Sequence, residues 1–215
     1  MASIGLLGGT FDPVHNGHLQ LGEAAMRNFG LDKILFIPAA HPPHKNEKIV
    51  CEISHRLQML QLGVAGNDFF EISEIEISRS APSYTIETIH GLQQQAEAGT
   101  SFYFIIGYDA ILEIETWYCW QELLISTNFI VAVRPGFSLE KVERLLERNE
   151  FSLQAQTQNK WVHRLHDNEI WFLTDQIVDI SSTDIRKRIE LNRDWRHMVP
   201  TAVSSYIVEK TLYVN

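Results

Sequence analysis

Apolar residues fall into two rhythms along the chain. Short unbroken runs read as strands buried on both faces: Ile4 to Leu7, Lys33 to Pro38, Phe102 to Ile106, Phe129 to Val133 and Ile170 to Leu173. Between them lie stretches whose apolar positions recur three and four apart. His18 to Phe29 carries Leu21, Ala25 and Phe29 on one face and stops at Gly30, a residue suited to a left-handed helix end. Ser54 caps a second helix with Leu57, Leu60 and Val64 on one side, and Ser83 or Thr85 a third with Ile86, Ile89 and Leu92 inward. A fourth presents Leu139, Val142 and Leu146. Phe70 with Ile72, then Ile75 with Ile77, read as strand-like segments. Ser182 or Thr183 opens a late helix, and Pro200 takes a first-turn position in the last one. From residue 151 to 168 no period holds, and no element is assigned there.

Strands alternating with amphipathic helices imply an α/β fold, doubly wound around a mainly parallel sheet. In such sheets ligands sit beyond the carboxyl ends of the strands, where the winding direction changes. The turns after Leu7, Pro38, Ile106 and Val133 and the approach to Ser181 should therefore share one cleft. The 215 residues are expected to form one domain, 1–215, with a helical part from about 181 to 215.

Composition narrows the partners. A net charge of −9 argues against a broad grip on nucleic acid, which needs many cations, but leaves room for a small anion held by a local cluster of donors. Cys51 and Cys119 are too few and too distant for a disulfide framework or a zinc-ligand set. No run approaches the ~20 apolar residues that span a bilayer. No membrane and a cytoplasmic setting are the expectations, and a homo-oligomer is left open.

The first turn, Gly8-Gly9-Thr10-Phe11-Asp12-Pro13-Val14-His15-Asn16-Gly17-His18, joins a strand to a helix. Its two leading glycines let backbone approach a ligand, and the helix start offers unpaired N–H groups to phosphate. The spacing is neither that of the dinucleotide fingerprint nor that of the P-loop, which weighs against a redox enzyme and a P-loop enzyme. His15 and His18, three apart, reach the same side of the helix start. On its own such a pair is more often a capping pair, and no third ligand is spaced for zinc. The second segment, Ile180-Ser181-Ser182-Thr183-Asp184-Ile185-Arg186, places hydroxyls at a helix start and a guanidinium one turn inside. Alone it would read as an N-cap before a solvated helix; as a site it would hold phosphate oxygens.

Together the two segments resemble the H-x-G-H and I-S-S-T-x-I-R motifs of the nucleotidylyltransferase superfamily, which implies its Rossmann-like fold with C-terminal helices. Along its whole length the chain resembles the bacterial nicotinate-mononucleotide adenylyltransferases. That resemblance gives His15, His18, Lys45 and Arg186 catalytic roles on the ATP phosphates. It gives ATP-binding roles to Gly8, Gly9, Thr10, Phe11, Gly107, Asp109, Arg134, Ser182 and Thr183. Lys45 comes from Pro42-Pro43-His44-Lys45, Asp109 from Gly107-Tyr108-Asp109 and Arg134 from Arg134-Pro135-Gly136. Acceptor contacts fall to Tyr84 and Thr85 of Ser83-Tyr84-Thr85 and to Trp117, whose indole can stack on a pyridine; Trp120, or a core role for either indole, is the alternative. The implied reaction joins ATP and nicotinate mononucleotide, with Mg2+ carried on the ATP and no metal held by the protein. Alternatives are a relative acting on nicotinamide mononucleotide or phosphopantetheine, and a non-catalytic nucleotide sensor.

Overall fold

The computed structural model describes residues 2–40, 51–79, 82–133, 138–154, 157 and 159–214. Eight strands make one sheet: β1 (Ser3–Gly9), β2 (Lys33–Pro38), β3 (Phe70–Ile72), β4 (Ser101–Gly107), β5 (Asn128–Ala132), β6 (Phe151–Leu153), β7 (Lys160–His163) and β8 (Glu169–Leu173). Their order across the sheet is β3-β2-β1-β4-β5-β8-β7-β6. The first five strands and β8 run parallel, while β7 is antiparallel to both of its neighbours. The chain winds outward from β1 one way, then returns to β4 and winds the other way. The switch point lies between the carboxyl ends of β1 and β4.

Alternation along the strands fills two core layers. Leu6, Phe102, Phe104, Phe129 and Val131 face the layer that contains Ile89 of α3 (Thr85–Gln95), Leu123 of α5 (Trp120–Ser126) and Val142 of α6 (Glu140–Arg148). Leu7, Phe36, Ile105 and Ile130 face the other way. That layer holds Ala25 of α1 (Asn16–Phe29), Leu60 of α2 (Ile53–Val64), Ile185 of α7 (Ser182–Glu190) and Val203 of α8 (Thr201–Glu209). The doubly wound α/β expectation therefore holds.

Local chemistry moves several boundaries. α2 has Glu52, not Ser54, at its N-cap, and the buried Arg56 fixes that start by donating from Nε to the Cys51 carbonyl at 3.0 Å. Ile75 and Ile77 are not strand: residues 75–78 form a turn in which Ile75 presses against α3 so closely that a Cβ on Gly91 would lie 2.8 Å from its Cδ1. α3 begins after Tyr84 with no side-chain cap, because the Ser83 hydroxyl accepts instead from the Ala40 N–H at 3.2 Å. Ser181, which precedes both expected openers, Ser182 and Thr183, caps α7 by accepting from the Asp184 N–H at 3.1 Å. Pro200 is the N-cap of α8 rather than a first-turn residue. The aperiodic stretch hides the β6–β7 hairpin, and short helices α4 (Tyr108–Leu112) and α5 follow β4 without a period long enough to read.

Candidate active site

At the switch point a cavity of about 280 Å³ opens between Gly8, Gly9 and Thr10 on one side and Ser83, Thr85 and Thr88 on the other, with Leu6, Ile37, Ile89, Phe104 and Trp117 as apolar wall. Of the expected acceptor residues, Thr85 and Trp117 line it, and Trp117 packs edge-on to Phe104 with centroids 6.3 Å apart. This separates Trp117 from Trp120, which starts α5. Tyr84 stacks on Tyr118 at 4.5 Å, a partner the sequence did not suggest.

Beside the cavity, the first turn is built around buried side chains. Phe11 is 1% exposed, with its ring packed on Phe36 and His18, so its side chain belongs to the core beneath the turn. Its φ of 50° is left-handed, a conformation that a non-glycine residue holds only when its surroundings enforce it. A Cβ on Gly9 would come within 3.1 Å of that ring. His15 is the N-cap of α1, and its ring stacks on His18 with centroids 3.6 Å apart. The His15 N–H donates to His18 Nδ1 at 3.3 Å, which leaves the proton of a neutral His18 ring on Nε2, a donor. Burial holds the His15 imidazole down at about 4 from its ordinary 6.5, so it is neutral at pH 7; its Nδ1 has no partner among the described residues. Gly17 makes room for this ring: a Cβ there would sit 3.1 Å from His15 Nδ1 and equally close to the Val178 carbonyl.

The two sequence motifs meet directly. Ser182 Oγ donates to the Pro13 carbonyl at 2.9 Å, and Arg186 Nη1 donates to the Asp12 carbonyl at 2.7 Å. Arg186 Nη2 reaches Thr183 Oγ1 at 3.4 Å. Gly107 and Asp109 stand at the carboxyl end of β4, both exposed. Lys45 and Arg134 lie outside the described residues.

Three supporting residues escaped sequence reasoning. Arg56, 2% exposed, donates from Nη1 to the carbonyls of Thr10 and Ala39, each at 2.8 Å, tying the first turn to the end of β2. Glu76, in the cavity wall, accepts from the Thr88 hydroxyl at 2.7 Å through Oε1 while Oε2 is buried without a partner among the described residues. Tyr213 donates to Asp12 Oδ1 at 2.7 Å. None carries a local signal, since a lone arginine or glutamate in a polar stretch reads as surface.

Among known proteins, the cytidylyltransferase-like family matches residues 6–188. A probable nicotinate-nucleotide adenylyltransferase of Thermoanaerobacter sp. (strain X514) is 40% identical over 98% of this chain and 93% of its own. One from Moorella thermoacetica is also 40% identical, over 98% and 91%. In structure the chain is similar to Plasmodium falciparum nicotinic acid mononucleotide adenylyltransferase complexed with NaAD, with a TM-score of 0.77, 19% identity and coverage of 99% and 98%.

Proposed function

The chain belongs to the cytidylyltransferase-like family and, within it, to the nicotinate-nucleotide adenylyltransferases, and from this premise we infer that it joins ATP and nicotinate mononucleotide to give deamido-NAD and pyrophosphate. The observation that carries the reading is the junction of the two motifs, Ser182 to Pro13 and Arg186 to Asp12, beside a cavity walled by Trp117. The phosphate clamp and the acceptor pocket are thereby adjacent.

The acceptor is a phosphate monoester with a second pKa of about 6, so it is mostly ionised at neutral pH and needs no general base. One of its oxygens attacks the α-phosphorus in line. The new P–O bond forms as the bond to the β-phosphate oxygen breaks, and the electron pair leaves on pyrophosphate. Catalysis is then positioning and charge stabilisation. In this reading His18 Nε2–H and Arg186 meet the growing charge, with Lys45 and the neutral His15 ring beside them. Gly8, Gly9, Thr10 and Phe11 offer backbone to the triphosphate, Ser182 and Thr183 open the second helix toward it, and Gly107, Asp109 and Arg134 flank the nucleoside.

Trp117 stacks on the pyridine, while the start of α3 offers its first-turn N–H groups from Thr85 onward to the ring's substituent, the Tyr84 N–H being given to the Pro82 carbonyl at 2.9 Å. A carboxylate there gains from both the donors and the helix dipole, which supports the acid over the amide. Among the described residues no three His, Cys, Asp or Glu side chains come together as a metal cage. Mg2+ is read as part of the ATP substrate, keeping its own waters. The free thiols Cys51 and Cys119 suit the reducing cytoplasm, and residues 1–215 are read as one domain. Pyrophosphate release with ATP plus nicotinate mononucleotide, its amide or phosphopantetheine tests the assignment. Fastest release with the first is expected, and a preference for either of the others overturns it.

A further inference from the structure

Asp12 is 1% exposed, and a carboxylate so buried has to be met by donors. Oδ2 accepts from the Cys51 N–H at 3.3 Å, and Oδ1 accepts from the Tyr213 hydroxyl at 2.7 Å. Among the described residues the nearest full positive charge is the Arg186 guanidinium, yet its Nη1 stands 3.7 Å from Oδ2 and gives its short hydrogen bond, 2.7 Å, to the Asp12 backbone carbonyl. The cation is thus moored beside the carboxylate without being captured by it. Its other terminal nitrogen makes one long bond, to Thr183.

Reaching Asp12 takes an unusual path. After α8 the chain turns back through bonds from the Thr211 N–H to the Val208 carbonyl and from the Leu212 N–H to the Ile207 carbonyl. It passes through left-handed backbone at two non-glycine residues, Thr211 with φ 54° and Tyr213 with φ 65°. Such conformations persist where surrounding contacts enforce them. Burial, and then the neighbouring Asp12 charge, raise the pKa of Tyr213, so the hydroxyl keeps its proton and remains a donor.

We propose that Tyr213 is a positioning residue of adenylyl transfer: by holding one oxygen of Asp12 it prevents that carboxylate from closing on Arg186 and so keeps the guanidinium charge available to the ATP phosphates. The proposal rests on the reading of Arg186 as part of the ATP clamp. Without the hydroxyl, Oδ1 has no donor among the described residues, and the cation 3.7 Å from its sister oxygen is the replacement at hand. Closing that gap would draw the guanidinium toward Asp12 and spend its charge there.

The test compares steady-state kinetics and melting of the full chain with three variants. Tyr213→Phe is expected to raise KM for ATP and lower kcat, together about tenfold in kcat/KM, the size of a hydrogen bond to a charged group, with KM for nicotinate mononucleotide unchanged. Tyr206→Phe removes another tyrosine bond of the same terminal region, to His55 Nδ1 at 2.8 Å, and is expected to leave both KM values alone. Adding Asp12→Asn to Tyr213→Phe removes the charge that would capture Arg186, and should bring KM for ATP back toward the parent value. Wild-type ATP kinetics in Tyr213→Phe, equal losses for both substrates, or no rescue by the second substitution would each overturn the proposal. If Tyr213→Phe does not fold, Tyr213→His restores a ring donor, and an ATP KM several-fold above the parent in that folded variant would count against it. Arg186→Ala with unaltered ATP kinetics would instead refute the clamp itself.

Discussion

The two sides of the cleft are built on opposite plans. The side assigned to ATP is polar and fastened: Arg56, Ser182, Arg186 and Tyr213 all bond to the first turn or its carboxylate, and the His15 and His18 rings are stacked. The side proposed for the acceptor is a mostly apolar cavity with Trp117 in its wall, where Glu76 keeps an oxygen without a partner among the described residues. A triphosphate in transfer develops charge at defined atoms, and fixed donors stabilise it without rearranging. A pyridine needs a slot of the right shape with few polar groups. Preorganisation on one side and fit on the other should give different kinetic signatures.

The largest expected effect strikes the fastened side. Arg56→Ala leaves the carbonyls of Thr10, Ala39 and Cys51 without their donor and should destabilise the chain by about 3–5 kcal/mol in urea unfolding, at roughly 1–3 kcal/mol for each buried acceptor left unsatisfied. A loss under ~1 kcal/mol would mean that this side is less fixed than its bonds imply. Next, His18→Ala should cost roughly 10²–10³ in kcat, the scale of a lost transition-state donor, while ATP binding by titration is largely retained. Near-normal turnover would remove His18 from catalysis.

His15 tests the same side by pH. Its pKa is about 4 in the folded chain against an ordinary 6.5, so the unfolded chain takes up the proton first as pH falls. The stability tied to its neutrality is whole above pH 6.5 and is lost on going down to 4, an amount on the order of 3 kcal/mol for a fully expressed shift. Melting temperatures between pH 7 and 4 should therefore fall more steeply in the parent than in His15→Gln. The smallest effect belongs to the fitted side: Trp117→Ala should raise KM for nicotinate mononucleotide about fivefold with kcat nearly kept, as for a lost stacking contact of ~1 kcal/mol. A collapsed kcat with unchanged KM would make Trp117 a structural residue and erase the contrast.

Legibility in the sequence follows the same division of labour. The first turn could be read because its requirements are local: glycines for close backbone approach, two histidines at one helix start, a strand feeding it. Trp117 stood out by type, though only its place in the cavity wall told it from Trp120. Asp12 was recognisable as part of the turn, but its partner Tyr213 lies 201 positions away, and no periodicity connects the two. The β6–β7 hairpin stayed hidden because strands of three and four residues are too short to establish a period, and β6 ends on the exposed Leu153. Its position at the far edge of the sheet from β1 means that missing it did not disturb the reading of the cleft.

Gly17 has a consequence for how tightly the enzyme can be tuned. With the His15 ring on one side and the Val178 carbonyl on the other, it acts as a gauge block whose thickness is one hydrogen atom. The segment leading from β8 into α7 is further tied to α1 by the Val178 N–H, which donates to Gln20 at 3.2 Å. There is accordingly no slack between the path that delivers Ser182 and Arg186 and the ring that delivers His15. A displacement of a few tenths of an ångström in residues 174–181, whether from a substitution or a bound effector, would register at the imidazole as misalignment.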